Sequence, residues 1–297
     1  MKLLITGASG LFGSKLAKIA TSKKFEVYSG YSRDHPTYGT QIRFDITEKT
    51  NVEKAFSKIT PEVVVHAATL TDVDKCEVSK ELAWKINVEG TKNIVETAKK
   101  SRSFLVYVST DYVFDGEKGN YRETDSPNPQ NYYGLTKLKA EELVQHTLKE
   151  YCVVRASVIY GAQPAAGKIN FALWLINKLE NKESPKVLVD QWNSPTLNTN
   201  MANMTLEIIE RKLTGTYHIS GATRISRYEF AKELARTFHL NVDLIAPTLM
   251  TQFSWSAKRP KDSSLDTTKA QHTLKNKPLQ TPQALEQLKK ELAQKRD

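Results

Sequence analysis

The chain has 297 residues, enough for about two domains and for a core that needs no disulfide or metal staple. Hydrophobic residues make up 39% and charged residues 26%, which excludes a disordered composition, and no run approaches the ~18 apolar residues of a membrane span. The net charge of +10 comes from lysines scattered along the chain, often at expected helix ends such as Lys99-Lys100 and Lys289-Lys290, so solvated helix faces are expected and a nucleic-acid partner is not.

Taken in order, Lys2–Thr6 reads as a buried strand, followed by glycines and a helix from Leu11 to Thr21. Glu26–Tyr31 is a second strand and Asn51–Lys58 a helix. Val63-Val64-Val65 is a third buried strand, stopped by His66-Ala67-Ala68, with His66 read as a packed or loop histidine. Between Ser79 and Lys100 the apolar residues Leu82, Ile86, Ile94 and Ala98 recur at helical spacing and predict one long helix. Phe104–Ser109 is a strand, the loop with Gly116, Gly119, Pro127 and Pro129 is polar, Tyr133–Glu150 is a helix and Cys152–Arg155 a strand. This alternation predicts an α/β fold, a Rossmann-type doubly wound parallel sheet.

After Gly161 the rhythm changes. GAQPAAGKIN reads as a loop, Phe171–Leu179 as a helix, Val187–Val189 as a strand, Ala202–Lys212 as a helix and Tyr217–Ile219 as a strand. Ser226 and Glu229 have capping-box spacing before a helix to Phe238, and Thr281-Pro282 opens a last polar helix. The expected organisation is a dinucleotide-binding domain over 1–160 that returns near 190–220, and a smaller, interleaved α+β substrate domain over 161–297.

Several chemistries lack their residues. The cysteines Cys76 and Cys152 have no metal-ligand spacing, and the six histidines form no HExxH pair, so no metal site is expected. Neither GxSxG nor GxxxxGK[ST] occurs. MKLLITGASG reaches glycines before any long apolar run, which argues against a signal peptide and for a cytoplasmic location.

Two motifs carry chemistry. Gly7, Gly10 and Gly13 form GxxGxxG directly after the first strand. Glycines there let the backbone approach a pyrophosphate, and the helix start supplies free N–H groups and a positive dipole. Tyr133-x-x-x-Lys137 follows the strand end Ser109-Thr110-Asp111. Positions i and i+4 share a helix face, so a phenol for proton transfer and an ammonium that lowers its pKa can meet in one cleft. The plain alternative, a packed Tyr and a solvated Lys on an amphipathic helix, loses weight because the phosphate loop and the strand-end hydroxyl accompany the pair.

Together GASGLFG, HAATLTDVDKCE, STDYVFDGEKGNY, NYYGLTK, DQWNSPT and AKRPKDSSLD resemble the extended short-chain dehydrogenase/reductase superfamily, and within it the dTDP-4-dehydrorhamnose reductase family, from Lys2 to about Thr268. The resemblance implies hydride transfer from a nicotinamide cofactor to the C4 carbonyl of a nucleotide-linked 4-keto-6-deoxy sugar. It makes Tyr133 the proton donor, has Lys137 bind the nicotinamide ribose and lower the tyrosine pKa, and has Thr110 orient the carbonyl. The cofactor is expected along Gly7, Ser9, Gly10, Leu11, Phe12 and Gly13, at Ala67 and Ala68, and at Asp45 and Ile46, with Asp45 on the adenine. Thr71, Val73 and Tyr112 fall where the family lines its sugar site, and Arg259 of AKRP is placed on the diphosphate. Where relatives carry Trp after an RTS stretch this chain has Val158, a difference that bears on the sugar and not on the Tyr/Lys chemistry. The family is also linked to a magnesium site at a dimer contact, for which no motif stands out here, and a homodimer stays open.

Strand two runs into Ser32-Arg33-Asp34. A hydroxyl and a cation suit a 2′-phosphate, so NADPH is the expected cofactor, while the nearby Asp34 would admit NADH. The rival functions are a nucleotide-sugar epimerase or dehydratase on the same scaffold, and a non-catalytic cofactor-binding regulator like the regulatory subunit of methionine adenosyltransferase.

Overall fold

The computed structural model describes residues 1–23, 25–164 and 169–294; of the loop expected over 161–170, residues 165–168 lie outside them. The N-terminal half comprises β1 (Lys2–Thr6), α1 (Leu11–Ser22), β2 (Glu26–Tyr31), β3 (Thr40–Arg43), α2 (Lys49–Ile59), β4 (Val63–His66), α3 (Val73–Val78), α4 (Lys80–Trp84), α5 (Gly90–Ser101), β5 (Phe104–Thr110), α6 (Tyr132–Thr147) and β6 (Tyr151–Tyr160). The remainder comprises α7 (Phe171–Glu180), β7 (Lys186–Leu188), β8 (Trp192–Asn193), β9 (Pro195–Leu197), α8 (Asn198–Glu210), β10 (Gly215–His218), β11 (Ile225–Ser226), α9 (Arg227–Thr237), β12 (Ala246–Thr248), α10 (Thr268–Thr273) and α11 (Thr281–Ala293).

Strand residues alternate between two cores. Leu3, Ile5, Val63, Val65, Phe104 and Val106 face α1 and α8, whereas Leu4, Val64, Leu105 and Tyr107 face α2, α5 and α6. Burial on both faces is why these strands read as unbroken apolar runs. The main sheet runs β10-β6-β5-β4-β1-β2-β3, with β9 also on β6, and its pairs are parallel. Strand order steps outward in both directions from β1 and β4, so the switch point, where ligands bind beyond the strand ends, lies between them. A third core joins Tyr160 to α7, α9 and α11. Between those helices in sequence, α8 returns to the first core with Met201, Ala202 and Met204.

Three features depart from expectation. β3 is additional; of its four residues only Ile42 is apolar and buried. The long helix expected from Ser79 to Lys100 is divided by a π turn over Lys85–Glu89. The extra residue in that turn directs Asn87 inward, where its Oδ1 accepts from Thr69 Oγ1 and Leu70 N (both 2.7 Å) and its Nδ2 donates to Thr136 Oγ1 (3.0 Å). β6 runs to Tyr160 instead of ending at Arg155, with a bulge that skips Val158 in its register with β9. Val158 has φ +39°, a conformation that costs a β-branched residue ~1–3 kcal/mol and is held by its surroundings.

Candidate active site

The turn after β1 is built for close approach. Gly7 has φ +68°, and a Cβ placed there would lie 2.8 Å from Ala68 Cα; one on Gly13 would lie 2.3 Å from the Gly7 carbonyl oxygen. The loop therefore packs its bare backbone against Ala67-Ala68 and the start of α1. Gly10 occupies the N-cap without a side-chain bond, and the first turn of α1 has no acidic residue. Uncapped amides and the helix dipole make this end a ready anion site. Phe12 is buried in the first core, so it can serve a ligand through its backbone only. Ser9, Gly10 and Leu11 remain partly open. A dinucleotide fits this cradle.

At the adjoining strand ends, Ser32, Arg33 and Asp34 are exposed directly after β2. Asp45 is exposed two residues after β3, its Oδ1 accepting from the Thr47 amide and hydroxyl (both 2.9 Å). Ile46 turns its side chain into the core beneath Gly90 of α5, leaving Asp45 as the outward group of that pair.

The residues expected to react converge between β5 and α6. Asn131 caps α6 by accepting the Gly134 amide hydrogen at 2.8 Å. A Cβ on Gly134 would lie 2.1 Å from the Tyr112 carbonyl oxygen, so only glycine lets the helix dock on the turn after β5. That docking sets the Tyr133 ring edge-on to Tyr112, with centroids 6.1 Å apart. One turn on, Lys137 is buried, donating from Nζ to Val108 O at 2.7 Å and lying 4.3 Å from the Tyr107 ring centre. Burial pulls its pKa down to about 7, with Glu141 opposing. Tyr133 moves the other way. Burial pushes its phenol well above the ordinary range, the Thr110 hydroxyl opposes, and the Asp111 charge adds to the rise. The lowering expected from Lys137 does not appear: the shift is set by burial, Thr110 and the neighbouring acidic groups, and the phenol stays protonated at neutral pH.

Asp111, singled out only as part of the Ser109-Thr110-Asp111 strand end, proves to be the hub of this corner. It is buried, with Oδ1 accepting from Thr110 Oγ1 (3.0 Å) and Oδ2 accepting from Ser157 Oγ (2.7 Å) and Ser263 Oγ (2.5 Å). Burial raises its pKa and these hydroxyls lower it. Thr110 thus gives its one proton to Asp111 and accepts from the Tyr112 amide at 3.2 Å; holding a carbonyl requires that rotor to turn.

Of the residues expected at the sugar, Thr71 is exposed ahead of α3, and Val73, half-buried, is its first residue, after Asp72 caps it by accepting from Lys75 N at 3.0 Å. Asp74 ties α3 to the 257–259 loop, accepting from Ala257 N at 2.9 Å and pairing with Arg259 Nη2 at 2.6 Å. Arg259 also lies 5.4 Å from the Trp255 ring centre. The fold thus joins Thr110, Tyr112, Tyr133 and Lys137 in one corner, the glycine loop and Ala67-Ala68 in another, and Val73 with Arg259 through Asp74. Ser32, Arg33 and Asp45 stand apart at the β2–β3 edge. Sequence reasoning missed Asn87, the bracing role of Asp111, and Arg227, whose Nε donates to Gln191 Oε1 at 2.7 Å. Among the described residues no three His, Cys, Asp or Glu side chains are arranged to hold a metal, and no helix is long and apolar enough to cross a membrane.

A doubly wound parallel sheet with an uncapped glycine loop after β1 and a Thr–Tyr–Lys group between β5 and α6 defines the extended short-chain dehydrogenase/reductase scaffold. The family model described as the RmlD substrate binding domain matches residues 1–294, and the chain belongs to the dTDP-4-dehydrorhamnose reductase family of NAD(P)-dependent oxidoreductases. It is 31% identical to a dTDP-4-dehydrorhamnose reductase of Aggregatibacter actinomycetemcomitans, over 97% of this chain and 98% of that one. It is 32% identical to methionine adenosyltransferase 2 subunit beta of Xenopus tropicalis, over 90% and 81%. Its fold matches the crystal structure of Bacillus anthracis dTDP-4-dehydrorhamnose reductase in complex with NADP with a TM-score of 0.89, at 30% identity and over 98% and 99% of the two chains.

Proposed function

We propose that this protein is an NADPH-dependent reductase of a nucleoside-diphosphate 4-keto-6-deoxy sugar, with Tyr133 as the proton donor. The observation that carries this reading is the meeting of Thr110, a neutral Tyr133 and a buried Lys137 at the strand ends beside the uncapped glycine loop. The bound nicotinamide supplies the hydride. Tyr133 gives its phenolic proton to the carbonyl oxygen as that oxygen gains charge, and a phenol that resists ionisation does not release the proton early. Lys137, protonated, stabilises the phenolate left behind and offers its remaining N–H groups to a ribose hydroxyl. Thr110 turns its proton from Asp111 to the substrate oxygen, and Ser157 and Ser263 keep the Asp111 carboxylate satisfied while it does so. Arg33 beside Ser32 favours the 2′-phosphate of NADPH, and Asp34 leaves room for NADH.

The likeness to the methionine adenosyltransferase subunit favours a second reading, a cofactor-binding regulator. One experiment separates the two: incubation with a panel of 4-keto-6-deoxy sugar nucleotides and NADPH, followed at the nicotinamide absorbance. Cofactor consumption that Tyr133→Phe abolishes is the expected result. No consumption with any sugar, together with co-purification of a partner enzyme, selects the regulator. Cofactor that stays bound and is never consumed selects the epimerase or dehydratase.

A further inference from the structure

Arg227, the first residue of α9, is half-buried, and among the described residues no carboxylate lies within ion-pair distance of it. Its Nε donates to Gln191 Oε1 at 2.7 Å and its guanidinium lies 5.2 Å from the Phe171 ring centre. The titratable groups nearest it are Tyr112, a neutral phenol, Asp111 and Arg259, and burial draws its pKa below the ordinary arginine value. Asp111 offers it no direct partner, because three hydroxyls already occupy that carboxylate. Arg259 stands in the opposite state. Its Nη2 is paired with Asp74 at 2.6 Å and its Nη1 donates to the Ala257 carbonyl at 3.0 Å, so its charge is largely answered within the chain.

Gln191 links the two arginine segments. It is buried, its backbone carbonyl accepts the Arg227 amide hydrogen at 3.0 Å, and its Nε2 donates to the Pro260 carbonyl at 3.4 Å. With its NH₂ turned to Pro260, the carboxamide presents its oxygen to Arg227 Nε, and the terminal nitrogens of that guanidinium are left for another acceptor. A desolvated cation without a counter-ion is unfavourable, and a planar guanidinium with its terminal N–H edge free suits phosphate oxygens.

We propose, building on the reading of the cleft as a nucleotide-sugar site, that Arg227 is the cation that captures the ligand's diphosphate, that Gln191 is its positioning residue, and that Arg259, neutralised by Asp74, supplies shape more than charge. This reverses the weight the sequence places on Arg259.

The test is calorimetric titration of the full chain with inorganic pyrophosphate, dTDP and thymidine, at low and high salt. Arg227→Gln should weaken pyrophosphate and dTDP about 10- to 100-fold, the usual worth of a charged hydrogen bond, and leave thymidine unchanged. Arg227→Lys, which keeps the charge and the fold, should lose less. Asp74→Asn should tighten pyrophosphate by releasing Arg259. Wild-type protein that binds no pyrophosphate, or an Arg227→Gln protein that binds it normally, overturns the proposal, as does a loss seen in Arg259→Gln alone. Pyrophosphate binding that depends on Arg227 without turnover of any keto sugar leaves the anion site standing and removes the reductase reading.

Discussion

Lys137→Met should make the protein more heat-stable at low pH, with the sign of the effect reversing at high pH. Burial takes the Lys137 pKa from 10.5 to about 7. At 1.36 kcal/mol per unit this corresponds to about 5 kcal/mol of unfavourable charge burial. The sign follows from linkage. Between about pH 7 and ~10.4 the unfolded chain holds this proton and the folded chain does not, so wild-type stability rises with pH across that window. Below about pH 7 both states are protonated and the penalty is present in full; above ~10.4 it is gone. Methionine removes the charge but also the bond to Val108 O and the contact with the Tyr107 ring, losses of about 1–3 kcal/mol together. The net expectation is a variant about 2–4 kcal/mol more stable at pH 6, which raises Tm by about 4–8 °C for a chain of this size, and less stable than wild type near pH 10.5. Thermal melts of the two proteins without cofactor at both pH values check it. A variant that melts lower at pH 6, or a Tm difference independent of pH, refutes the assignment of Lys137 as a strained, desolvated ammonium.

Tyr133→Phe should lower kcat by ~10²–10⁴-fold while the Kd for NADPH, read by fluorescence titration, stays near wild type; near-normal turnover would pass the proton donor's role elsewhere. Arg33→Ala should weaken NADPH by ~1.5–3 kcal/mol and spare NADH, whereas equal losses would mean that Arg33 does not read the 2′-phosphate. Glu207, whose carboxylate is held to about 2 against burial by the amides of Asn276 and Lys275 and by Arg211, should contribute about 3 kcal/mol above its unfolded pKa of ~4.3. That contribution fades as pH falls from there through about 2, so Glu207→Gln should lower Tm at pH 7 and about half as much at pH 3.

The parts of the site legible in sequence are those whose chemistry is local. GxxGxxG lies within seven residues and Tyr133 and Lys137 within one helical turn, so spacing alone conveys their geometry. β3 was not legible because TQIR contributes a single core residue. The π turn at Lys85–Glu89 leaves the apolar spacing around it nearly helical and betrays itself only through the buried Asn87. The bracing of Asp111 joins β5 to Ser157 and Ser263, 46 and 152 residues away, and no local pattern encodes such a meeting. Arg227 was passed over for a related reason. Its significance is a missing counter-ion, which becomes visible only when every carboxylate near it has been accounted for.

The return of α8 to the sheet has a consequence for how the chain is made. One face of the sheet is covered by Met201, Met204, Leu206, Ile208 and Ile209, with Ala270 and Leu274 beyond them. When residue 160 leaves the ribosome, every strand from β1 to β6 exists and that face is covered by α1 alone. At roughly 5–20 residues per second, about another 6–23 s pass before residue 274 follows. During that interval the nascent chain exposes an apolar sheet surface that only its own later segments can cover. The segment from β1 to β6 is therefore not a separable module, and a fragment cut after β6 should need a chaperone or precipitate.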